Sequence, residues 1–175
     1  MLIIFGGLPG TGKTTIARAL AKQIGAVHVR VDTAEQAIRA SEMLKSEVGP
    51  AGYMVAYGVA EDNLRLGNRV IADSVNCIKI TRDAWLSVAA RSGVPAVEIE
   101  IICSDKDEHR RRVEARATDV PGLRNPTWDE ITSRHYEDWG QSPLVIDTGV
   151  QDVEQSVAEL ISQLALVSHR PGREV

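Results

Sequence analysis

The chain has 175 residues, 43% of them hydrophobic, which suits one globular domain with a buried core. Only 4% are aromatic, so that core must rest on Val, Ile, Leu and Ala, and the formal net charge of −4 argues against a strongly basic nucleic-acid face. Cys77 and Cys103 lie outside any CxxC or Cys/His cluster, which excludes a readable zinc site and predicts two reduced core thiols in a cytosolic protein.

Residues 2–5 predict a buried strand; this apolar run is too short for a signal-peptide core, and no stretch approaches a transmembrane span. Residues 14–24 predict a helix with Ile16, Ala17, Leu20 and Ile24 on one face. A second strand is expected over 27–31, then helices over 34–44 and 53–66, separated by the breaker Gly49-Pro50-Ala51-Gly52. Residues 70–72 predict a third strand, 83–90 a helix capped by Thr81, and 96–102 a fourth strand. Glu98 and Glu100 alternate there with Val97, Ile99 and Ile101, and are expected at an exposed end of the strand. Ser104 opens a charged helix with Asp107 three residues on, and Thr127-Trp128-Asp129-Glu130 is a full capping box for another. A short strand over 144–146 and a closing helix over 153–166, capped by Asp152, precede a flexible tail at 168–175. Strands alternating with helices imply an α/β fold: a parallel sheet covered on both faces, with right-handed crossovers.

Gly7-Leu8-Pro9-Gly10-Thr11-Gly12-Lys13-Thr14 matches G-x-x-x-x-G-K-[ST] between a predicted strand and a predicted helix. The glycines let successive N–H groups point inward, and together with the helix N-terminus they form an anion cradle. Lys13 should reach the β- and γ-phosphates, the Thr14 hydroxyl should bind Mg²⁺, and Thr15 completes the nucleotide-binding run. The motif calls for a nucleoside triphosphate with Mg²⁺, but by itself does not separate kinases from switches and motors.

Two strands end in carboxylates, at Asp32 and at Asp73, and ligands of open parallel sheets bind at those ends. Asp73 is the candidate Walker B residue for Mg²⁺. Asp32 is then available to accept the proton of an attacking hydroxyl, unless it merely caps the helix that follows. Arg112 and Arg116 are four apart on the charged helix and suit a lid that neutralises transferring phosphate. Arg110, Arg111 and His109 are expected in solvent, and Trp128 and Trp139 in the core. On the substrate side, Arg39 or Arg82 is a candidate for gripping an anionic group, Asn76 for orienting the acceptor, Tyr53 for shaping a pocket and Arg124 for the hinge of the lid.

These residues resemble the small P-loop kinases related to zeta toxins, chloramphenicol phosphotransferase and polynucleotide kinases, whose bacterial relatives are often labelled AAA family ATPases. The resemblance rests on residues 7–14, Asp32, the segment 70–76 with Arg82, the Arg112/Arg116 pair and Ile146-Asp147-Thr148. It implies a three-layer fold with strand order 2-3-1-4-5, Asp32 as general base, Arg112 and Arg116 as lid arginines, and the turn 147–149 near the adenine. The chain lacks the long separate lid of adenylate kinases and the helical subdomain of AAA+ motors. One kinase domain over 1–167, with its lid at about 104–126, is therefore expected. The leading expectation is transfer of the ATP γ-phosphate to a hydroxyl of a small molecule. A polynucleotide 5′-hydroxyl kinase, a zeta-like nucleotide-sugar kinase toxin and an ATPase or switch without an acceptor are the alternatives.

Overall fold

The computed structural model describes residues 1–43, 47–118, 120–140 and 143–168. Strands β1 (Leu2–Gly6), β2 (Val27–Arg30), β3 (Val70–Asp73), β4 (Ala96–Ile102) and β5 (Leu144–Asp147) form one parallel sheet in the order β2-β3-β1-β4-β5. The expected order is thus observed. Central strand β1 is buried along its whole length, and its side chains divide by the two-residue period of a strand. Ile3 and Phe5 join Ile71, Ile99 and Ile101 beneath α1 (Lys13–Ile24) and α7 (Val153–Ser168). Leu2 and Ile4 join Val70 and Ala72 beneath α3 (Ala51–Arg65) and α4 (Lys79–Arg91). Among the described residues no helix is long and apolar enough to cross a membrane.

Several boundaries differ from expectation. The second strand ends at Arg30 and α2 (Val31–Ala40) begins at once, so Asp32 lies in the first turn of a helix rather than at a strand end. Residues 44–46, within or beside the expected end of that helix, lie outside the described residues. Ala51 and Gly52 belong to α3 instead of breaking the chain. A Cβ at Gly52 would lie 2.2 Å from Glu35 Cγ, so the glycine serves close packing of α3 on α2. Thr81 lies inside α4 and returns its hydroxyl to the Ile78 carbonyl at 2.8 Å. The Lys79 N–H at the start of α4 is satisfied instead by the distant Glu137 carboxylate at 2.5 Å.

Asp105, not Ser104, caps α5 (Lys106–Glu114), accepting from the Asp107 and Glu108 N–H groups at 3.0 Å. The Thr127 capping box of α6 (Trp128–Thr132) forms as read. Asp152 caps α7 reciprocally with Gln155. Ser168 ends α7, so the expected tail would start no earlier than residue 169, and residues 169–175 lie outside the described residues.

Glu98 and Glu100 are not at an exposed strand end. They lie mid-strand, in register with Ile4 and Gly6, and are half-buried. Burial pushes the Glu98 carboxyl up, against the pull of Arg82, and Glu100 hydrogen-bonds to Tyr136. This face of β4 lies under polar and aromatic groups rather than under an apolar helix, which is why carboxylates alternate with isoleucines. Cys103 is buried, whereas Cys77 is only half-buried, and both are free thiols.

Candidate active site

The carboxyl ends of the strands open on a cavity of about 690 Å³, the position that open parallel sheets reserve for ligands. On one side stands the phosphate loop. Gly7, Gly10 and Gly12 have φ of 129°, 86° and 89°, a region that side chains resist. Two of them also allow close approach. A Cβ at Gly7 would lie 2.1 Å from the Ile101 carbonyl oxygen, and one at Gly10 would lie 2.5 Å from Val113 Cγ2. Gly12 starts α1 without a side-chain cap, so the first N–H groups of that helix are available to an anion.

Pro9, Gly10, Gly12, Lys13, Thr14 and Thr15 line the cavity. Gly7, Leu8 and Thr11 are not among its lining residues; they shape the loop from behind. Thr11 is buried and donates its hydroxyl to the Leu8 carbonyl at 2.9 Å. Lys13 Nζ donates to the same carbonyl at 2.8 Å. Burial pushes the Lys13 ammonium down to about 8, against the pull of Asp73 and Asp32.

Asp73 ends β3 and is buried at the cavity floor. It accepts from His28 Nε2 at 3.1 Å and hydrogen-bonds to the Thr14 hydroxyl. Burial raises its pKa, but the bond from His28, the Lys13 charge and the Thr14 bond outweigh that and hold the carboxyl below its ordinary value. A hydroxyl and an ionised carboxylate side by side are hard oxygen donors. They fit Mg²⁺, which takes one or two protein ligands and completes its shell with phosphate and water.

Asp32 also lines the cavity, with Arg30 Nη2 3.3 Å from its Oδ2. Arg30 is 4% exposed and Asp32 38%, so a buried cation holds a carboxylate whose far side meets the cavity. Arg112 projects from α5 and donates to Glu108 Oε1 at 2.7 Å, Thr148 Oγ1 at 2.8 Å and the Thr148 carbonyl at 3.0 Å. The two guanidinium groups on Glu108, from Arg111 and Arg112, hold its carboxyl down at about 2. Thr148 in turn donates to the Thr11 carbonyl at 2.9 Å. The helix therefore ties the turn after β5 to the phosphate loop.

Arg116 lies beyond the end of α5, in the following turn, so the helical spacing does not apply to it; its side chain nevertheless lines the cavity. Arg124 lines it too, exposed and paired with Glu130 at 2.5 Å. Arg110 and Arg111 are exposed in pairs with Glu114 and Glu108, as read. A second pocket of about 410 Å³ adjoins on the β5 side, between Gly12, Thr15, Arg112, Thr148 and Asp152. Asp147, below it, accepts from the Ser104 and Gly149 N–H groups at 2.9 Å.

Four expected substrate residues are placed elsewhere. Arg39 pairs with Glu35 and Gln36 on the outside of α2. Tyr53 is packed behind β3, hydrogen-bonded to Ser74 and to the Asn76 backbone, and its burial pushes the hydroxyl up to about 12. Asn76 is wholly buried and donates to the Phe5 carbonyl at 2.7 Å, pinning the loop after β3 to β1. Arg82 is 3% exposed and donates to the carbonyls of Asn76, Glu137 and Asp138 at 3.0, 3.3 and 2.7 Å, with its guanidinium 4.9 Å from the Trp139 ring centroid. Tyr53, Asn76 and Arg82 are staples of the fold, Arg39 pairs on its surface, and none of the four lines the cavity.

His109 is likewise not in solvent. It is buried, with Nε2 2.8 Å from the Pro9 carbonyl oxygen and its ring edge-on to Trp128. Trp139 is buried, as read. Cavity residues that the sequence reading missed include Arg18, Arg30 and Arg134. Arg18 could have been found, because it stands one helical turn after Thr14 on the face that carries the phosphate loop.

A family model described as an AAA domain matches residues 2–137. No curated protein matches the sequence. Among solved structures, the chain is similar to a protein of Chloroflexus aurantiacus described as a candidate kinase, with 21% identity, TM-score 0.70, and 94% of this chain and 96% of that one covered. It is similar to the Mycobacterium tuberculosis APS kinase CysC in complex with AMPPNP and APS, with 19% identity, TM-score 0.69 and coverage of 94% and 96%. It is also similar to Chaetomium thermophilum Kti12 in complex with ADP-AlF3, with 22% identity, TM-score 0.65 and coverage of 93% and 98%. These likenesses show a shared fold.

Proposed function

The chain belongs to the AAA domain family, and from that premise we propose that it is an ATP-dependent phosphotransferase acting on a hydroxyl of a small molecule. One observation carries the reading. Asp32, which a phosphate cradle does not need, faces the same cavity as Lys13, Thr14 and Asp73. A carboxylate at that place supplies the proton acceptor that phosphorylation of a hydroxyl needs. The solved structures of similar fold include proteins named as kinases, which supports the reading.

In this account the loop N–H groups and Lys13 hold the β- and γ-phosphates, and the pocket beside Thr148 takes the base. Thr14 and Asp73 would hold Mg²⁺, which would supply positive charge to offset that of the phosphates. Asp32 accepts the acceptor's hydroxyl proton as its oxygen bonds to the γ-phosphorus. The bond from that phosphorus to the β–γ bridging oxygen breaks, and ADP leaves with the electron pair. Arg112 and Arg116 neutralise the equatorial oxygens, so catalysis is mainly positioning and charge stabilisation. The kinase domain spans 1–167, with 104–126 as its lid.

The test is transfer of labelled γ-phosphate from Mg-ATP to sugars, nucleosides, aminoglycosides, nucleotide sugars and 5′-hydroxyl oligonucleotides, with Lys13→Ala as control. Label on an acceptor that vanishes in Lys13→Ala supports the reading. ATP turnover to ADP and inorganic phosphate with every acceptor unlabelled overturns it in favour of an ATPase.

A further inference from the structure

Asp73 is 3% exposed, and a buried carboxylate is costly unless neighbouring groups answer its charge. Three groups do so: the His28 imidazole, the Lys13 ammonium and the Thr14 hydroxyl. Two of them are shared with the nucleotide. Lys13 and Thr14 line the cavity together with Asp73, and in the proposed reaction they turn to the phosphates and to Mg²⁺. His28 is not among the residues that line the cavity. It reaches Asp73 from the neighbouring strand, so its bond is the one that can stay in place when the nucleotide enters.

The strand shows how this contact arises. β2 is an edge strand, paired in parallel with β3, and its residues alternate between the two faces of the sheet. Val29 joins the apolar cluster beneath α3 and α4. His28 falls on the opposite face, in register with Ile71, which belongs to the cluster beneath α1 and α7. Packing alone would favour a β-branched or other apolar residue there. The imidazole, 18% exposed, instead extends along the strand and donates Nε2–H to Asp73 Oδ2 at 3.1 Å. Asp73 stands two residues beyond the register partner of His28, toward the strand ends where ligands bind. A hydrogen bond at one carboxylate oxygen fixes how the group is turned toward its other neighbours.

We infer that His28 is a positioning residue for the divalent cation: touching neither nucleotide nor metal, it holds the Asp73 carboxylate in the orientation in which, with the Thr14 hydroxyl, it receives Mg²⁺. This rests on the reading that nucleotide enters with Mg²⁺ at Thr14 and Asp73, and it adds a residue of β2 to the machinery of that site. Phosphate contacts of the loop are made by other residues, so loss of His28 should weaken the metal-dependent part of nucleotide binding and spare the rest.

The test is calorimetric titration with AMPPNP, once with excess Mg²⁺ and once with EDTA. The ratio of the two affinities measures the coupling between metal and nucleotide. His28→Leu keeps the volume and removes the donor. It should lower the ratio by about tenfold, the usual effect of losing a partner that orients a metal ligand, and leave the affinity in EDTA within about threefold of wild type. His28→Gln, whose amide N–H can reach as far as Nε2, should restore most of the ratio. His28→Asn, polar but one bond shorter, should behave as leucine does and serves the same comparison if His28→Leu does not fold. An unchanged ratio in both short variants overturns the inference. So does an equal loss with and without Mg²⁺, which would make His28 a support of the fold alone, and so does failure of His28→Gln to restore the ratio. The comparison needs no acceptor. Transfer of labelled phosphate can therefore succeed with this inference overturned, and the inference can hold in a chain that only hydrolyses ATP.

Discussion

His109 and Pro9 are a hundred residues apart in the chain, and the histidine's Nε2 lies 2.8 Å from the proline's carbonyl oxygen. The bond fastens α5 to the tip of the phosphate loop, and the T-shaped contact with Trp128, at 5.1 Å between centroids, extends the connection to α6. Gly10 is part of the same arrangement, since a Cβ there would strike Val113 and His109. Helix α5 and the cradle are therefore one packed unit.

His109→Ala removes the only side chain that α5 donates to the Pro9 carbonyl and leaves a gap against Trp128. The expected cost is about 1–3 kcal/mol, or a fall in Tm of about 3–10 °C for a chain of this size. ATP affinity should also fall several-fold, read by calorimetry, because the loop loses its outer support. An unchanged Tm would mean that the bond does not hold in solution.

Thr148→Val tests how Arg112 is positioned. The hydroxyl accepts from Arg112 and donates to the Thr11 carbonyl, so valine removes that relay and leaves Arg112 only its bond to the Thr148 carbonyl on this side. A fall in kcat of about tenfold is expected, comparable to the loss of one charge-assisted hydrogen bond, and Thr148→Ser should restore most of it. Arg112→Lys should not substitute, since an ammonium cannot span Glu108 and both Thr148 oxygens as the guanidinium does.

Arg82→Ala distinguishes a staple from a substrate residue. Its guanidinium serves three carbonyls, all of which lose their donor together. The expected loss is about 3–5 kcal/mol, and Tm should fall by about 10 °C. KM for the acceptor should be unchanged in whatever fraction stays folded. A selective rise in KM at constant Tm would instead return Arg82 to the cavity.

The lysine of the loop sets a pH dependence. Burial lowers the Lys13 pKa from 10.5 to about 8. Between these values the unfolded chain keeps a proton that the folded, nucleotide-free chain has released, so this group makes stability rise with pH across that window. Phosphate binding favours the ammonium, so ATP affinity should fall as pH rises through about 8, with proton uptake on binding. Calorimetry at pH 8.5 in buffers of different ionisation enthalpy reads that uptake, and Lys13→Met should abolish it.

Local chemistry made the phosphate loop, the strands and the Thr127 cap legible, because glycine spacing, apolar runs and capping boxes act within a few residues. The resemblance supplied the strand order. What could not be read was which polar side chains the tertiary fold would bury. His109 lies in the charged stretch Asp107-Glu108-His109-Arg110-Arg111, and its burial depends on Trp128 and Pro9, which arrive from distant segments. Spacing three after Asp73 suggests Asn76 as an acceptor-orienting residue and charge suggests Arg82 as an anion grip, yet the chain turns after Ser74, and Asn76, at φ 49°, points back to Phe5. Arg30 ends β2 inside an otherwise apolar run, and only the position of β2 in the sheet brings it to the cavity.

The most direct test of the central claim is Asp32→Asn, assayed for γ-phosphate transfer to the acceptor found by labelling and for ATP affinity in parallel. The account predicts a loss of about 10²–10⁴-fold in kcat with ATP affinity within about threefold of wild type, since Asp32 handles the acceptor's proton and not the nucleotide. Full transfer activity in Asp32→Asn would show that this carboxylate is not the base and would contradict the account.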